Sequence, residues 1–448
     1  MAIEKLLKFG LKHGLIEEYD IVLVRNQLYE YLKMTAGDIQ EWQGEPPETA
    51  TEILAEISAA QIPNATQGER DLFEAAIMGI LMPRQSEIIR RFRSLPVSEA
   101  TSDFYALSRA ANYIQADRIK KDIYWTAETE YGTIELTINL SKPEKDPKDI
   151  AAASAQPATT YPKCLLCLEN IGFAGNAAWP ARQNLRAIPI TLNGGNWYFQ
   201  YSPYSYYNEH SIIFGERHTP MEINETTFRQ LVDFVKQFPH YFIGSNAGLP
   251  IVGGSILSHE HFQGGRHEFP MERAKSFNSY RHGGYPGVAI DLIKWPLSVV
   301  RLSTPTENAE EIIKLAALFL EKWRDYSEGD IIAHTNGTPH NAITPITRIK
   351  NGMLEFDLAL RNNRTSDEHP FGIFHPHEQW HHVKKENIGL IEVMGLAILP
   401  GRLKTELEEG RLSRAEIGEI FVNVLKDCGV FKDNHERFDR FIKSVKES

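Results

Sequence analysis

Residues 241–265 read YFIGSNAGLPIVGGSILSHEHFQGG. This stretch is rich in glycine, short in period and strand-like. It closes on Ser258-His259-Glu260-His261-Phe262-Gln263-Gly264-Gly265. Side chains alternate between the two faces of a strand, so His259, His261 and Gln263 share one face. One imidazole can then bind a metal while its neighbour faces a substrate, and Gln263 can hydrogen-bond a phosphoryl oxygen. Gly253, Gly254, Gly264 and Gly265 would let backbone N–H groups approach an anionic ligand. The plainer alternative is a pair of histidines satisfied by carbonyls.

Strand and helix signals surround this stretch. Trp197 to Phe214 is dense in aromatic and β-favouring residues and predicts strands broken near Pro203. Thr226 or Thr227 is the expected cap of a helix whose apolar face is Leu231, Phe234, Val235 and Phe238. Thr306 opens a second helix, with Ile312, Leu315, Phe319 and Trp323 on one side. Strand-like segments return around 330–360 and 371–383, and a last helix covers Arg414 to Lys426. Upstream, residues 133–140 alternate apolar and polar side chains as a strand does. Residues 141–162, rich in Pro, Ala, Ser, Asp and Lys, are the best loop candidate. Residues 1–125 look mostly helical and carry no catalytic signature. Two strand-plus-helix blocks, about 160–285 and 290–448, predict two related α+β units. The expected domains are a helical region at 1–125, a unit at 126–285 with the site, and a unit at 286–448.

The chain has 448 residues, 48 Lys plus Arg and 59 Asp plus Glu, for a net charge of −11. That balance argues against nonspecific nucleic-acid binding and against an anionic membrane surface as a partner. No apolar run approaches the roughly 18–20 residues of a membrane helix. The N-terminus lacks the pattern of a signal peptide. Three cysteines form no disulfide framework and suggest a reducing compartment, so a cytoplasmic location is expected. Cys164-Leu-Leu-Cys167 can turn two thiolates toward one cation. It could also be a redox pair or two core cysteines. A tetrahedral zinc needs two further ligands, and histidines are the candidates.

The order of these pieces resembles the galactose-1-phosphate uridylyltransferases, in their type 2 (class II) branch. The matching blocks are KCLLCLENIGFAG (163–175), WPARQNLRAIPI (179–190), QYSPYSYYNEHSIIFGERHTPM (200–221), the stretch at 238–265, and HHVKKENIGLIEVMGLAILPGRL (381–403). The resemblance implies a histidine-triad-like fold of two α+β units, each an antiparallel sheet flanked by helices. It implies exchange of a uridylyl group between UDP-glucose and galactose 1-phosphate, giving UDP-galactose and glucose 1-phosphate. The group would be carried on a histidine in a ping-pong cycle. The family nucleophile falls on His261, and Gln263 would steady the phosphoryl oxygens. By the same resemblance a structural zinc would sit on Cys164, Cys167, His218 and His259. Asn184 would lie near the ribose, and Asn246 and Ser255 or Ser258 near phosphate, with Arg182 and Arg186 as nearby cations. Lys385 and Glu392 would reach the sugar. A homodimer is the expected assembly.

His375-Pro376-His377-Glu378-Gln379 competes for the role of nucleophile. Its context argues against it, because no glycine-rich segment precedes it and it follows the second helix. The iron site of class I relatives is not expected here, since FDLALRNN (356–363) lacks its H-x-H pair. Other functions compatible with the same residues are a nucleotide phosphorylase of the same superfamily, a noncatalytic nucleotide-binding protein and a zinc hydrolase. The hydrolase needs an open coordination position, which two Cys plus two His do not leave.

Overall fold

The computed structural model of the chain describes residues 1–34, 42–141, 161–254, 256–432 and 434–446. The predicted loop at 141–162 falls almost wholly outside these residues, and so does Ser255. The chain groups into two units. One comprises Met1–Lys121, Ser141–Ile190 and Trp197–Ile212, and the other Asp122–Leu140, Thr191–Asn196 and Ile213–Ser448.

The first unit is mainly helical. Its helices are Ala2–Lys12, Ile21–Leu32, Thr51–Gln61, Gln67–Leu81, Gln85–Ser94, Val97–Ala110 and the short Ala116–Ile119. All but Ala116–Ile119 turn apolar residues inward, as Ala2–Lys12 does with Ile3, Leu6, Leu7 and Phe9. Gln67–Leu81 starts at Thr66, whose hydroxyl accepts from the Glu69 N–H while Glu69 reaches back. It stops before Pro83, which cannot continue a helix. Phe92, Phe104, Phe199 and Tyr201 form an aromatic nest in this unit.

In chain order the strands are β1 Ile123–Thr129, β2 Gly132–Ile138, β3 Ile188–Leu192, β4 Gly195–Tyr201, β5 Ser211–Gly215, β6 Phe242–Gly244, β7 His261–Gly265 and β8 Ser276–His282. Then come β9 Tyr285–Ile293, β10 Val299–Pro305, β11 His334–Thr335, β12 Thr338–Pro339, β13 Asn341–Lys350, β14 Met353–Asn362 and β15 Leu396–Leu399. Ten of them form one sheet in the order β3-β4-β5-β7-β6-β13-β14-β10-β9-β8. The strands β3 to β7 enter it as first, second, third, fifth, fourth. The strands β8, β9, β10, β14 and β13 repeat that order. In both sets one long helix lies between the third and fourth strands: Glu225–Gln237 in the first, Ala309–Arg324 in the second. The two sets meet at β6 and β13, where Gly244 opposes Ile346. The predicted pair of related α+β units is therefore present as a topological repeat. A smaller sheet has the order β1-β2-β15.

The register separates the two faces of the large sheet. Directly opposed residues share a face. One row runs Gln263, Gly244, Ile346, Asp357, Arg301, Asp291, Ser279. By alternation His261, Arg348 and Arg361 lie on this polar face. The row on the other face runs Gly264, Ile243, Thr347, Phe356, Leu302, Ile290. That side is covered by the two long helices, with Phe228 edge-on to Phe356 at 5.6 Å.

Three local expectations are corrected. The cap of Glu225–Gln237 is Asn224, with Thr227 reciprocating, because the Asn224 side chain can accept the Thr227 N–H. Residues 371–383 form turns and the 3-10 helix Glu378–Trp380, not a strand. Pro370, Pro376 and the positive φ of Gly372, 129°, interrupt pairing there. Among the described residues of 241–265, only Phe242–Gly244 and His261–Gly265 lie in strands. His259 sits just before β7, which begins at His261.

Candidate functional site

His261 opens β7 and is buried. Its Nδ1 lies 2.8 Å from the backbone oxygen of His259. A carbonyl only accepts, so Nδ1 carries the proton and Nε2 is the basic nitrogen. Burial pushes its pKa down, against the His259 carbonyl, which raises it. The ring is thus held neutral, in one tautomer, with Nε2 available as a nucleophile. Gln263 shares its face.

Asn246 follows β6 by two residues. The β6–β7 ladder opposes Gly244 to Gln263, and Asn246 lies just beyond its end. The Asn246 Oδ1 accepts the Leu390 N–H at 2.9 Å, which orients the carboxamide. The Nδ2 end points toward Gly254, where a Cβ would come within 2.6 Å of it. At Gly253 a Cβ would meet the Ala247 oxygen at 2.3 Å. These two glycines are present because the loop folds back onto its own backbone and onto Asn246. Ser258 is exposed.

Cys164, Cys167, His218 and His259 offer ligand atoms that all lie within 4.8 Å of one another, and together they could hold a metal ion. The two thiols are 3.6 Å apart, with the Leu166 N–H turned onto Cys164 Sγ. Burial pushes the Cys164 thiol up to about 11, so the thiolate form calls for a cation beside it. The Gly215 N–H donates to the Glu260 oxygen and the Glu260 N–H to the Thr219 oxygen. This clasp brings the rings of His218 and His259 to 4.9 Å. His259 is fully buried, and its Nε2 donates to the Gly215 oxygen at 2.8 Å. The Gly215 oxygen thereby fixes the proton on Nε2 and orients the ring.

Of the two residues expected at the sugar, Glu392 is buried and Lys385 is exposed over the Phe371 ring. The cation that meets Glu392 is Lys384, at 2.9 Å and itself buried, and this partner was not anticipated. Glu392 also accepts the Gly389 N–H. Asn184 is buried and donates to the Ala111 oxygen at 2.9 Å. Arg186 donates to the oxygens of Pro83, Gln183 and Leu185, and burial pushes it down to about 10. Arg182 lies over the Tyr113 ring.

The competing histidine motif lies in turns. His377 Nε2 meets the Ile373 oxygen at 3.1 Å, and its Nδ1 is 3.4 Å from Asp427. Both ring nitrogens of His377 face acceptor oxygens. His375 is buried against Asn387 and the Pro376 oxygen.

Comparison with known proteins gives a consistent set of relatives. The family "Galactose-1-phosphate uridyl transferase, N-terminal domain" matches residues 22–220, and its "C-terminal domain" matches residues 233–425. A galactose-1-phosphate uridylyltransferase of Caldanaerobacter subterraneus subsp. tengcongensis is 54% identical over 91% of this chain and 81% of its own. That of Clostridium acetobutylicum is 48% identical over 98% of each. That of Bacillus subtilis is 45% identical over 99% of this chain and 97% of its own. Among solved structures, yeast Ap4A phosphorylase Apa2 is similar over 71% of this chain and 97% of its own, at 11% identity and a TM-score of 0.39. Among the described residues no helix is long and apolar enough to cross a membrane.

Proposed function

The chain belongs to the galactose-1-phosphate uridylyltransferase family, and from that membership we propose that it exchanges UMP between UDP-glucose and galactose 1-phosphate through a covalent uridylyl-His261. The observation that carries this reading is the His261 Nδ1 bond to the His259 oxygen in a buried setting. Nε2 attacks the α-phosphorus of UDP-glucose. A P–N bond forms, the bridging P–O bond breaks, and glucose 1-phosphate leaves with the electron pair. Galactose 1-phosphate then attacks the phosphoramidate, returns the lone pair to Nε2 and departs as UDP-galactose. Gln263 and the Nδ2 of Asn246 are the donors proposed for the phosphoryl oxygens as charge develops there. This reaction belongs to galactose metabolism.

The ligand set of two thiols and two imidazoles suits zinc, whose role here is to brace rather than to react. Bound there, it would fix His259, whose oxygen in turn holds the His261 ring.

Intact-mass spectrometry after mixing with UDP-glucose alone tests the proposal. One acid-labile uridylyl group on the peptide containing His261 is expected, with discharge on addition of galactose 1-phosphate. His261→Ala should lose transfer by roughly 10⁴-fold or more while still binding UDP-glucose. An adduct on His377, or wild-type turnover by His261→Ala, would overturn the assignment.

A further inference from the structure

We infer that Arg361 is a positioning residue for uridylyl transfer, acting through Ile388 and Leu390 on the carboxamide of Asn246. The inference rests on the proposed role of His261.

Arg361 lies on β14, the counterpart in the repeat of the nucleophile's strand, and on the same sheet face as His261 and Gln263. Two other arginines on that face are neutralised. Arg301 pairs with Asp357 through Nε and Nη2, and Arg348 pairs with Asp357 and Glu355. Arg361 is treated differently. It is 1% exposed, it has no carboxylate bonded to it, and its Nε and Nη1 have no hydrogen-bond partner among the described residues. Burial pushes its pKa down, and Cys428 and Glu392 only partly oppose this. The Glu392 carboxylate is already taken by Lys384 and the Gly389 N–H.

A buried cation kept in this condition is not explained by stability, since an apolar side chain of like volume would avoid its desolvation. What Arg361 does make is one bond, Nη2 to the Ile388 oxygen at 2.9 Å. Two residues on, the Leu390 N–H donates to Asn246 Oδ1. The Leu390 side chain settles on Gly244, where a Cβ would come within 2.8 Å of its Cδ1. The turn Ile388–Leu390 is thus pinned to the polar face by Arg361 and hands Asn246 an N–H. That N–H decides which end of the carboxamide is free. With Oδ1 occupied, Nδ2 is the end left to donate, turned toward Gly254 in the glycine-rich loop, and a donor is what a developing phosphoryl charge requires. Were the amide to flip, an oxygen would face the phosphate.

The experiment is a double-mutant cycle on the full chain, following single-turnover uridylylation of His261 by quenched mass spectrometry. UDP-glucose affinity is measured separately in the His261→Ala background. Arg361→Met should slow adduct formation by about 10²-fold, the scale of losing one oriented donor, with affinity changed less than about threefold. Arg361→Lys, which retains a donor for the Ile388 oxygen, should recover much of the rate. In an Asn246→Ala background Arg361→Met should change the rate by less than about threefold, because both substitutions remove the same interaction. Persistence of the full loss in that background, or a loss confined to affinity, overturns the inference. Should Arg361→Met fail to fold, Leu390→Pro takes its place. Proline fits the first position of the helix Leu390–Val393 and removes the N–H that Asn246 accepts. A folded Leu390→Pro with the wild-type rate would overturn the inference equally. Absence of any adduct in the wild type would instead sink the role of His261.

Discussion

At the scale of single residues, His261 carries a prediction about pH. A free imidazole titrates near 6.5, and burial moves His261 below that value. The nucleophile is the neutral ring, so the rate of adduct formation should stay level through neutrality. Its acid limb should lie below 6.5. An acid limb above 6.5 in single-turnover rates would mean that the attacking ring is not the buried one. Cys164→Ser carries a second prediction. It removes one of four candidate ligands, so elemental analysis should show zinc falling from about one per chain toward none. Tm should fall with it while affinity for UMP changes little. Wild-type protein free of zinc would refute the ligand set. By spacing and residue type Cys164, Cys167, His259, His261 and Gln263 could be singled out from the sequence, and with the family resemblance His218 and the separate roles expected of all six could be too. Lys384 could not. Two adjacent lysines look alike on paper, and only the turn at 381–385 buries one and exposes the other. Arg361 left a faint signal, since Asp357, Ala359 and Arg361 alternate along one strand face.

At the scale of elements, Gly244 shows why a strand of three residues suffices at the centre of the sheet. β6 is short, and its neighbours crowd its last residue. A Cβ at Gly244 would lie 2.8 Å from Leu390 Cδ1 and 2.9 Å from the Pro345 oxygen. The backbone oxygen cannot move aside, so Gly244→Ala should destabilise by about 1–3 kcal/mol, read as a lower Tm. Gly283→Ala is the control. Nothing lies within 4 Å of its Cβ, and its effect should stay within about 0.5 kcal/mol. Equal effects of the two would show that the crowding is not real. Element types were legible where periodicity ran long, as in the helices Glu225–Gln237 and Ala309–Arg324. They were not legible at 371–383, where β-favouring side chains carry a strand signal that two prolines and a left-handed glycine override. In the stretch 241–265 itself, glycine and proline left most of the described residues of 245–260 out of the sheet.

For the molecule as a whole, charge is stored unevenly, and acid should expose this. His240 is pushed down to about 4 by burial and by Arg266, and His261 and His375 are pushed down mainly by burial. When these rings unfold they titrate near 6.5, so below that pH the unfolded chain binds protons that the folded chain refuses. Each lowered histidine therefore costs stability progressively as pH falls from 6.5 toward its folded value. Glu74, Glu260 and Asp427 act in the opposite sense, because burial raises them and the folded state takes up their protons first. Asp357 enters last. Burial opposes its charge, but Arg301 and Arg348 hold it near 2, so its contribution persists until pH falls below 3.8. With opposing terms in one window, total stability is a poor readout, and a difference between two chains is a good one. His261→Gln removes one lowered histidine and leaves the others. Its Tm relative to wild type should rise steadily as pH is lowered from 7 through the histidine range. A constant offset between the two curves would mean that His261 titrates alike in the folded and unfolded chain. The neutral, buried nucleophile on which the transfer chemistry depends would then be ruled out.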